Sequence, residues 1–210
     1  MKNPRLRNRK ARNTETKSEF ISHYLILTDT EETEKNYMYG LRDTIPNELK
    51  RKIIIKVERI SSRKIIEDSV SLAARQNNLS EPWIIFDRDK VKDFDRIIEE
   101  AENKGINVAW SNPCIEIWFF AYFGSMPNFY DSVDCVKGFE REFKKITGKK
   151  YHKGDDQIYS KLIKYGNEKE AVAIARQTAK HQLNSKPSKQ CPGTVMYLLI
   201  EKIKKQIENS

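Results

Sequence analysis

The chain has 210 residues, 38% hydrophobic and 10% aromatic, which suits one domain, or a domain with an appendage, and excludes global disorder. Its net charge of +9 is uneven, because residues 1–17 hold seven Lys or Arg and one Glu, leaving +6 there and +3 in the rest. No apolar run approaches the ~20 residues of a membrane span and no apolar segment follows the basic N-terminus, so neither a membrane helix nor a secretory signal is expected and a cytoplasmic protein is.

Residues 1–17 are expected to be a disordered basic tail. Arg5, Arg7, Arg9, Lys10 and Arg12 can neutralise phosphates without sequence preference, or can simply keep the chain soluble. "HYLILT" (23–28) then reads as a buried strand, short, apolar and aromatic. Thr30 is placed to cap a helix, with Glu31, Glu32 and Glu34 in or near its first turn, where the helix dipole favours acids. "KIIIKVERI" follows, with Ile53, Ile55 and Val57 alternating as in a second strand, and residues 63–78 set Ile66, Val70, Ala73 and Ala74 on one helical face. "PWIIF" (82–86) is a third buried strand, ending in "DRDK". Phe94, Ile97, Ile98 and Ala101 predict an amphipathic helix closed by Gly105. "INVAW" (106–110) is a fourth strand, and "SNPCIEIWFFAYF" opens as a loop and becomes a buried helix, with Pro113 suited to the first turn.

This alternation predicts an α/β fold, a mainly parallel four-stranded sheet with helices on both faces, over residues 18–125. From about 126 the pattern is helical, over 131–147, 155–182 and 193–208, so 126–210 reads as a helical extension packed on the core. Within it, "REFKKITGKKYHK" (141–153) is basic and aromatic; it is either a nucleic-acid contact or an ordinary charged helix end. Cys114, Cys135 and Cys191 are far apart, no CxxC occurs, and His23, His152 and His181 are scattered, so a structural zinc site is not expected.

Three strand ends carry acids: Asp29 after the first, Asp87-x-Asp89 after the third, and Glu116 beyond the fourth. In a parallel sheet these ends share one edge, the edge where sites form. Carboxylates gathered there repel one another unless a cation sits among them, and hard oxygen ligands suit Mg²⁺ or Mn²⁺. Each piece alone is commonplace, a helix cap or a solvated turn; their joint arrangement is what points to metal-assisted phosphodiester chemistry. There is no GxxxxGK[ST], no GxGxxG and no G-x-S-x-G around Ser111, so P-loop, dinucleotide and serine-nucleophile chemistries lack support.

"LILTDTEETEKNY", "WIIFDRDK" and "VAWSNPCIEIWFF" resemble, in order, three signature blocks of the RloB-like family, and "NSKPSKQCPGTVMYLLIEKI" resembles its C-terminal block more loosely. That family is similar to Toprim domains, the metal-binding fold of topoisomerases, primases and OLD-family nucleases. The resemblance implies a Toprim-like sheet, dependence on Mg²⁺ or Mn²⁺, cleavage of a nucleic-acid phosphodiester, with DNA, RNA and tRNA all open as the substrate, and a setting in bacterial anti-phage defence or abortive infection beside an ATPase partner of the RloA type. By position it implies that Asp87, Asp89 and Glu116 are metal ligands with Asp29, and that Thr33, Glu34, Asn36 and Tyr37 are the "TE-x-N-Y" of the first block. Lys153, in the basic loop, is the candidate for stabilising charge on the phosphate, with Lys149 and Lys150 beside it as nucleic-acid contacts. This chain departs from the family at Asp29-Thr30, where Glu-Gly is usual. The shorter Asp would fall about 1.5 Å short, a misplacement that can cost a large factor in rate, and Thr30 forfeits the close backbone approach of Gly. Tyr122 stands where the family has a histidine. The rival expectation is a catalytically degraded module that binds nucleic acid or an ATPase partner and regulates it.

Overall fold

In the computed structural model, residues 22–28, 32–51, 53–59, 65–75, 80–89 and 91–209 are described. The strands β1 (Ser22–Thr28), β2 (Ile53–Arg59), β3 (Ser80–Asp87) and β4 (Asn107–Asn112) run parallel in the spatial order β2-β1-β3-β4. A fifth strand, β5 (Gly193–Thr194), pairs antiparallel with the end of β4, Thr194 opposite Ser111 and Gly193 opposite Asn112. The sheet therefore has five strands, where four were expected. Two residues are too few to show strand alternation, and β5 lies inside a stretch that reads as the start of the last helix.

Eight helices are described: α1 (Thr33–Asp43), α2 (Ile65–Arg75), α3 (Phe94–Asn103), α4 (Glu116–Ala121), α5 (Ser132–Thr147), α6 (Ile158–Tyr165), α7 (Glu168–His181) and α8 (Met196–Glu208). Successive strand side chains point to opposite faces, and here both faces are covered. Tyr24 and Ile26 of β1 pack with Tyr37, Met38 and Leu41 of α1 and Trp118 of α4. Leu25 and Leu27 pack on the other side with Ile66 of α2 and Phe94 and Ile98 of α3. Burial on both sides is why β1, β3 and β4 read as unbroken apolar runs, whereas β2, exposed on one face at Ile54 and Lys56, reads as an alternation. The helices after residue 126 enlarge the first face: Phe139, Phe143, Leu162, Ala175, Leu199 and Ile203 belong to the same buried cluster as Tyr24 and Trp118.

Two further helix boundaries differ from expectation. The helix expected over 155–182 is two helices, broken at Gly166-Asn167. Gly166 is extended, and a Cβ there would lie 2.6 Å from the Tyr122 carbonyl oxygen. Asn167 restarts the helix, its side chain accepting from the Glu170 amide. The helix expected to begin at a Thr30 cap begins instead at Thr33, with Glu32 in the cap position making no side-chain capping bond. Of its expected first-turn acids only Glu34 lies in the first turn, and Thr30 and Glu31 fall outside the described residues.

The strand order reverses direction at β1, so the crevice between the carboxyl ends of β1 and β3 is the topological switch point, where open α/β sheets place ligands. β1 ends at Thr28 and β3 at Asp87.

Candidate active site

The site begins at Asp87, the last residue of β3. Its Oδ2 accepts from the backbone N–H of Ile115 at 3.1 Å, so the strand end holds the start of α4. The next residue, Glu116, is fully buried. An acid in so apolar a helix needs partners, and one is present: the Tyr151 hydroxyl donates to Glu116 Oε1 at 2.9 Å. Burial pushes the Tyr151 phenol well above its ordinary range, and the nearby charges of Glu116 and Glu34 push it further, so it stays protonated and able to donate. Glu116 Oε2 is buried with no hydrogen-bond partner among the described residues. Leaving such an oxygen unsatisfied costs roughly 1–3 kcal/mol.

Tyr151 opens a loop that closes over the acids. Its ring packs edge-on against Phe139 of α5, with centroids 4.8 Å apart. At the other end Asp155, also buried, is paired with Lys161 of α6 at 2.6 Å. Between them the Lys153 carbonyl accepts from Thr33 Oγ1 of α1 at 2.9 Å. Gly154 lets Glu32 come close, since a Cβ there would lie 3.1 Å from Glu32 Oε2. The Lys153 side chain is exposed, yet it senses the buried acids. Partial desolvation works against its charge, but Glu116, Cys114, Asp87 and Glu34 together outweigh this and raise its pKa. The structure thus gathers Asp87, Glu116 and Lys153 and adds Glu34, which is buried in the first turn of α1.

Asp89 stands in the turn after β3. Its amide donates to the Pro113 carbonyl, and its Oδ1 accepts from Ser132 Oγ at 2.6 Å. With Lys153, Lys137 and Glu140 it lines an open cleft of about 530 Å³ beside the start of α5. Lys149 and Lys150 are exposed just before Tyr151. Asp29 and the tail residues Arg5, Arg7, Arg9, Lys10 and Arg12 lie outside the described residues. Tyr37 turns inward, its hydroxyl 2.8 Å from that of Tyr122 and accepting from Trp118 Nε1 at 2.9 Å. Asn36 holds its place in the helix through a backbone bond to Glu32. Sequence reasoning missed Tyr151: one aromatic inside a basic run does not say which way it points.

Among the described residues no three His, Cys, Asp or Glu side chains are grouped closely enough to hold a metal ion. What they do supply suits a hard divalent cation in chemistry, two oxygen donors from Asp87 and Glu116, one of whose oxygens lacks a donor. No helix of the described residues is long and apolar enough to cross a membrane.

No curated protein and no solved structure matches the chain. A family model described as RloB-like protein matches residues 24–203, a span that takes in most of β1, every acid placed above, the Lys153 loop and most of α8, and on that match the chain belongs to the RloB-like family.

Proposed function

We propose that this chain hydrolyses nucleic-acid phosphodiester bonds with the help of Mg²⁺ or Mn²⁺, on a Toprim-like sheet. The observation that carries the reading is Glu116: an acid wholly buried at the carboxyl edge of the sheet, half satisfied by Tyr151, beside Asp87 and within the field of Lys153. A divalent ion bound there supplies charge neutralisation at the phosphate and makes water more acidic. Asp87 and Glu116 would hold it, with Asp29 from the segment after β1 and Asp89 from the turn after β3 as the further candidates. Tyr151 fixes the rotamer of Glu116 and keeps one oxygen occupied. Lys153 presents a cation at the mouth of the site, where it offsets negative charge that grows on the phosphate in the transition state. Lys149, Lys150 and the basic tail hold the backbone of the substrate. Family membership extends the proposal to bacterial anti-phage defence, beside an ATPase partner of the RloA type.

The test is cleavage of labelled DNA and RNA pools, tRNA included, with Mn²⁺, Mg²⁺ or EDTA, by wild type, Asp87→Asn and Glu116→Gln. Metal-dependent cutting that falls at least about 100-fold in both variants is expected. Cutting that survives EDTA or both substitutions sinks the reading. A second reading, a non-catalytic module that binds nucleic acid or the ATPase, is favoured by Asp29-Thr30 standing where the resemblance leads one to expect Glu-Gly. It predicts no cutting in any arm, and nucleic-acid affinity that is equal with and without metal.

A further inference from the structure

The family's C-terminal block plays no part in the site described above, yet the fold brings it to the same edge of the sheet. β5 starts at Gly193, opposite Asn112, the last residue of β4. The loop before β5 therefore lies at the carboxyl edge, next to the ends of β3 and β4. It is held there from three sides. The Ser188 amide and hydroxyl both donate to Asp95 of α3, at 2.7 and 2.6 Å. Asn112 Nδ2 donates to the carbonyls of Pro187 and Ser188 at 3.2 and 3.3 Å. Gln190 Nε2 closes the loop on the Ser185 carbonyl at 2.7 Å.

What this rigid loop displays is charge. Lys186 and Lys189 flank Ser188 and are both exposed. Arg88, in the turn directly after Asp87, is on the same edge: its amide donates to the Ser111 carbonyl of β4 at 2.8 Å, and its guanidinium lies over the Phe94 ring of α3, donating to the Val91 carbonyl at 2.7 Å and acting with Lys186 on Asp95. Asp95 is the acid that faces them, and its two oxygens are occupied by Ser188. Loops are ordinarily the mobile, replaceable parts of a fold, and a solvated pair of lysines needs no such anchoring. Cations spaced on a fixed loop beside a phosphodiester site do, because a phosphate contact positions a strand only if the contact itself is fixed.

We propose that the Lys186–Lys189 loop, with Arg88, is a rail for the phosphate backbone of nucleic acid, holding the strand across the carboxyl edge of the sheet. The rail rests on the nucleic-acid reading of the site but not on catalysis, so it is tested without turnover. Binding of the full chain to fluorescent single-stranded and duplex DNA and RNA is measured in EDTA across a range of salt concentrations. Wild type is compared with Lys186→Glu/Lys189→Glu and with Lys50→Glu/Arg51→Glu. The second pair makes the same charge change at exposed positions before β2, on the opposite, amino edge. Thermal melts verify that both variants fold. The rail variant is expected to lose about tenfold or more in affinity, and its slope of log K against log salt to shrink by roughly 1.4 (single strand) to 1.8 (duplex), the release expected from two phosphate contacts. The control variant keeps nearly the wild-type slope. If both variants weaken alike, or neither does while wild type binds, the rail is wrong and the nucleic-acid reading stands. If wild type binds none of the probes, both fall.

Discussion

Glu116 and Tyr151 are a pair in which each explains the other. A wholly buried acid is rare unless it is hydrogen-bonded, and a phenol buried among Phe139 and Phe143 needs an acceptor. Tyr151→Phe keeps the ring and removes the bond to Glu116 Oε1. It is expected to destabilise the fold by about 1–3 kcal/mol, because both Glu116 oxygens then lack a donor. A shift of the urea midpoint with unchanged m-value checks this; a midpoint equal to wild type would mean that the bond does not form. The same variant is expected to lose cleavage through misplacement of Glu116 rather than through substrate affinity, lowering kcat more than it raises KM. At this scale Glu116 was legible in the sequence, since a lone acid in "IEIWFF" has to sit at a helix start or be buried, and it does both. Lys153 was legible only through the family resemblance. Tyr151 was not legible, because the contact that orients it spans 35 residues.

Between elements, two polar joints tie the segment after residue 126 to α4 and α3. Glu168, in the first turn of α7, accepts from the hydroxyls of Tyr122 of α4 and Tyr159 of α6, at 3.1 and 3.0 Å, and pairs with Lys204 of α8 at 3.1 Å. Glu168→Ala removes the acceptor shared by two largely buried phenols, of which Tyr122 keeps the Tyr37 hydroxyl as partner, and is expected to cost about 1–3 kcal/mol in urea unfolding. Tyr122 thus has a structural task in this chain. The second joint is Asp95 with Ser188. Burial alone would raise the Asp95 pKa, but the two Ser188 bonds and the charges of Lys186 and Arg88 outweigh it, so the folded value lies below the ordinary 3.8. A depressed carboxyl contributes stability above its unfolded pKa and loses it as pH falls through the folded one. The Ser188 amide resonance is therefore expected to titrate with a midpoint below 3.8, and that transition to vanish in Asp95→Asn. A midpoint at or above the ordinary value would contradict the anchoring of the loop.

These joints also mark where elements could and could not be foreseen. Of the parallel strands, β1, β3 and β4 were readable as apolar runs because helices cover both their faces, and β2 was readable from the alternation of Ile53, Ile55 and Val57, with Ile54 and Lys56 exposed on its other face. β5 was not, because it is defined by its partner Ser111 and not by its own two residues. The break at Gly166-Asn167 left a local signal, Asn followed three residues later by Glu, which has the form of a helix start. The contact that requires glycine there, the Tyr122 carbonyl, is 44 positions away and invisible in the sequence.

For the whole molecule, charge and site are separated along the chain. Residues 1–17 carry +6 of the total +9, while the acids and Lys153 are held on the folded core. A polyelectrolyte arm binds phosphate backbones with little regard to sequence and contributes alike to ground state and transition state. Binding energy of that kind lowers KM and leaves kcat alone. Deletion of residues 1–17 is thus expected to leave the thermal stability of the core unchanged and the cleavage rate at saturating substrate within about twofold of wild type, while KM rises at low salt and depends less steeply on salt than that of wild type. If its seven cations all contact phosphate, the salt slope of binding falls by roughly 5 on single strands and 6 on duplex; a smaller drop counts the contacts that are made. A collapse of kcat instead would mean that an arm residue reaches the reacting phosphate, so that Asp87, Glu116 and Lys153 do not make up the charged part of the site without it.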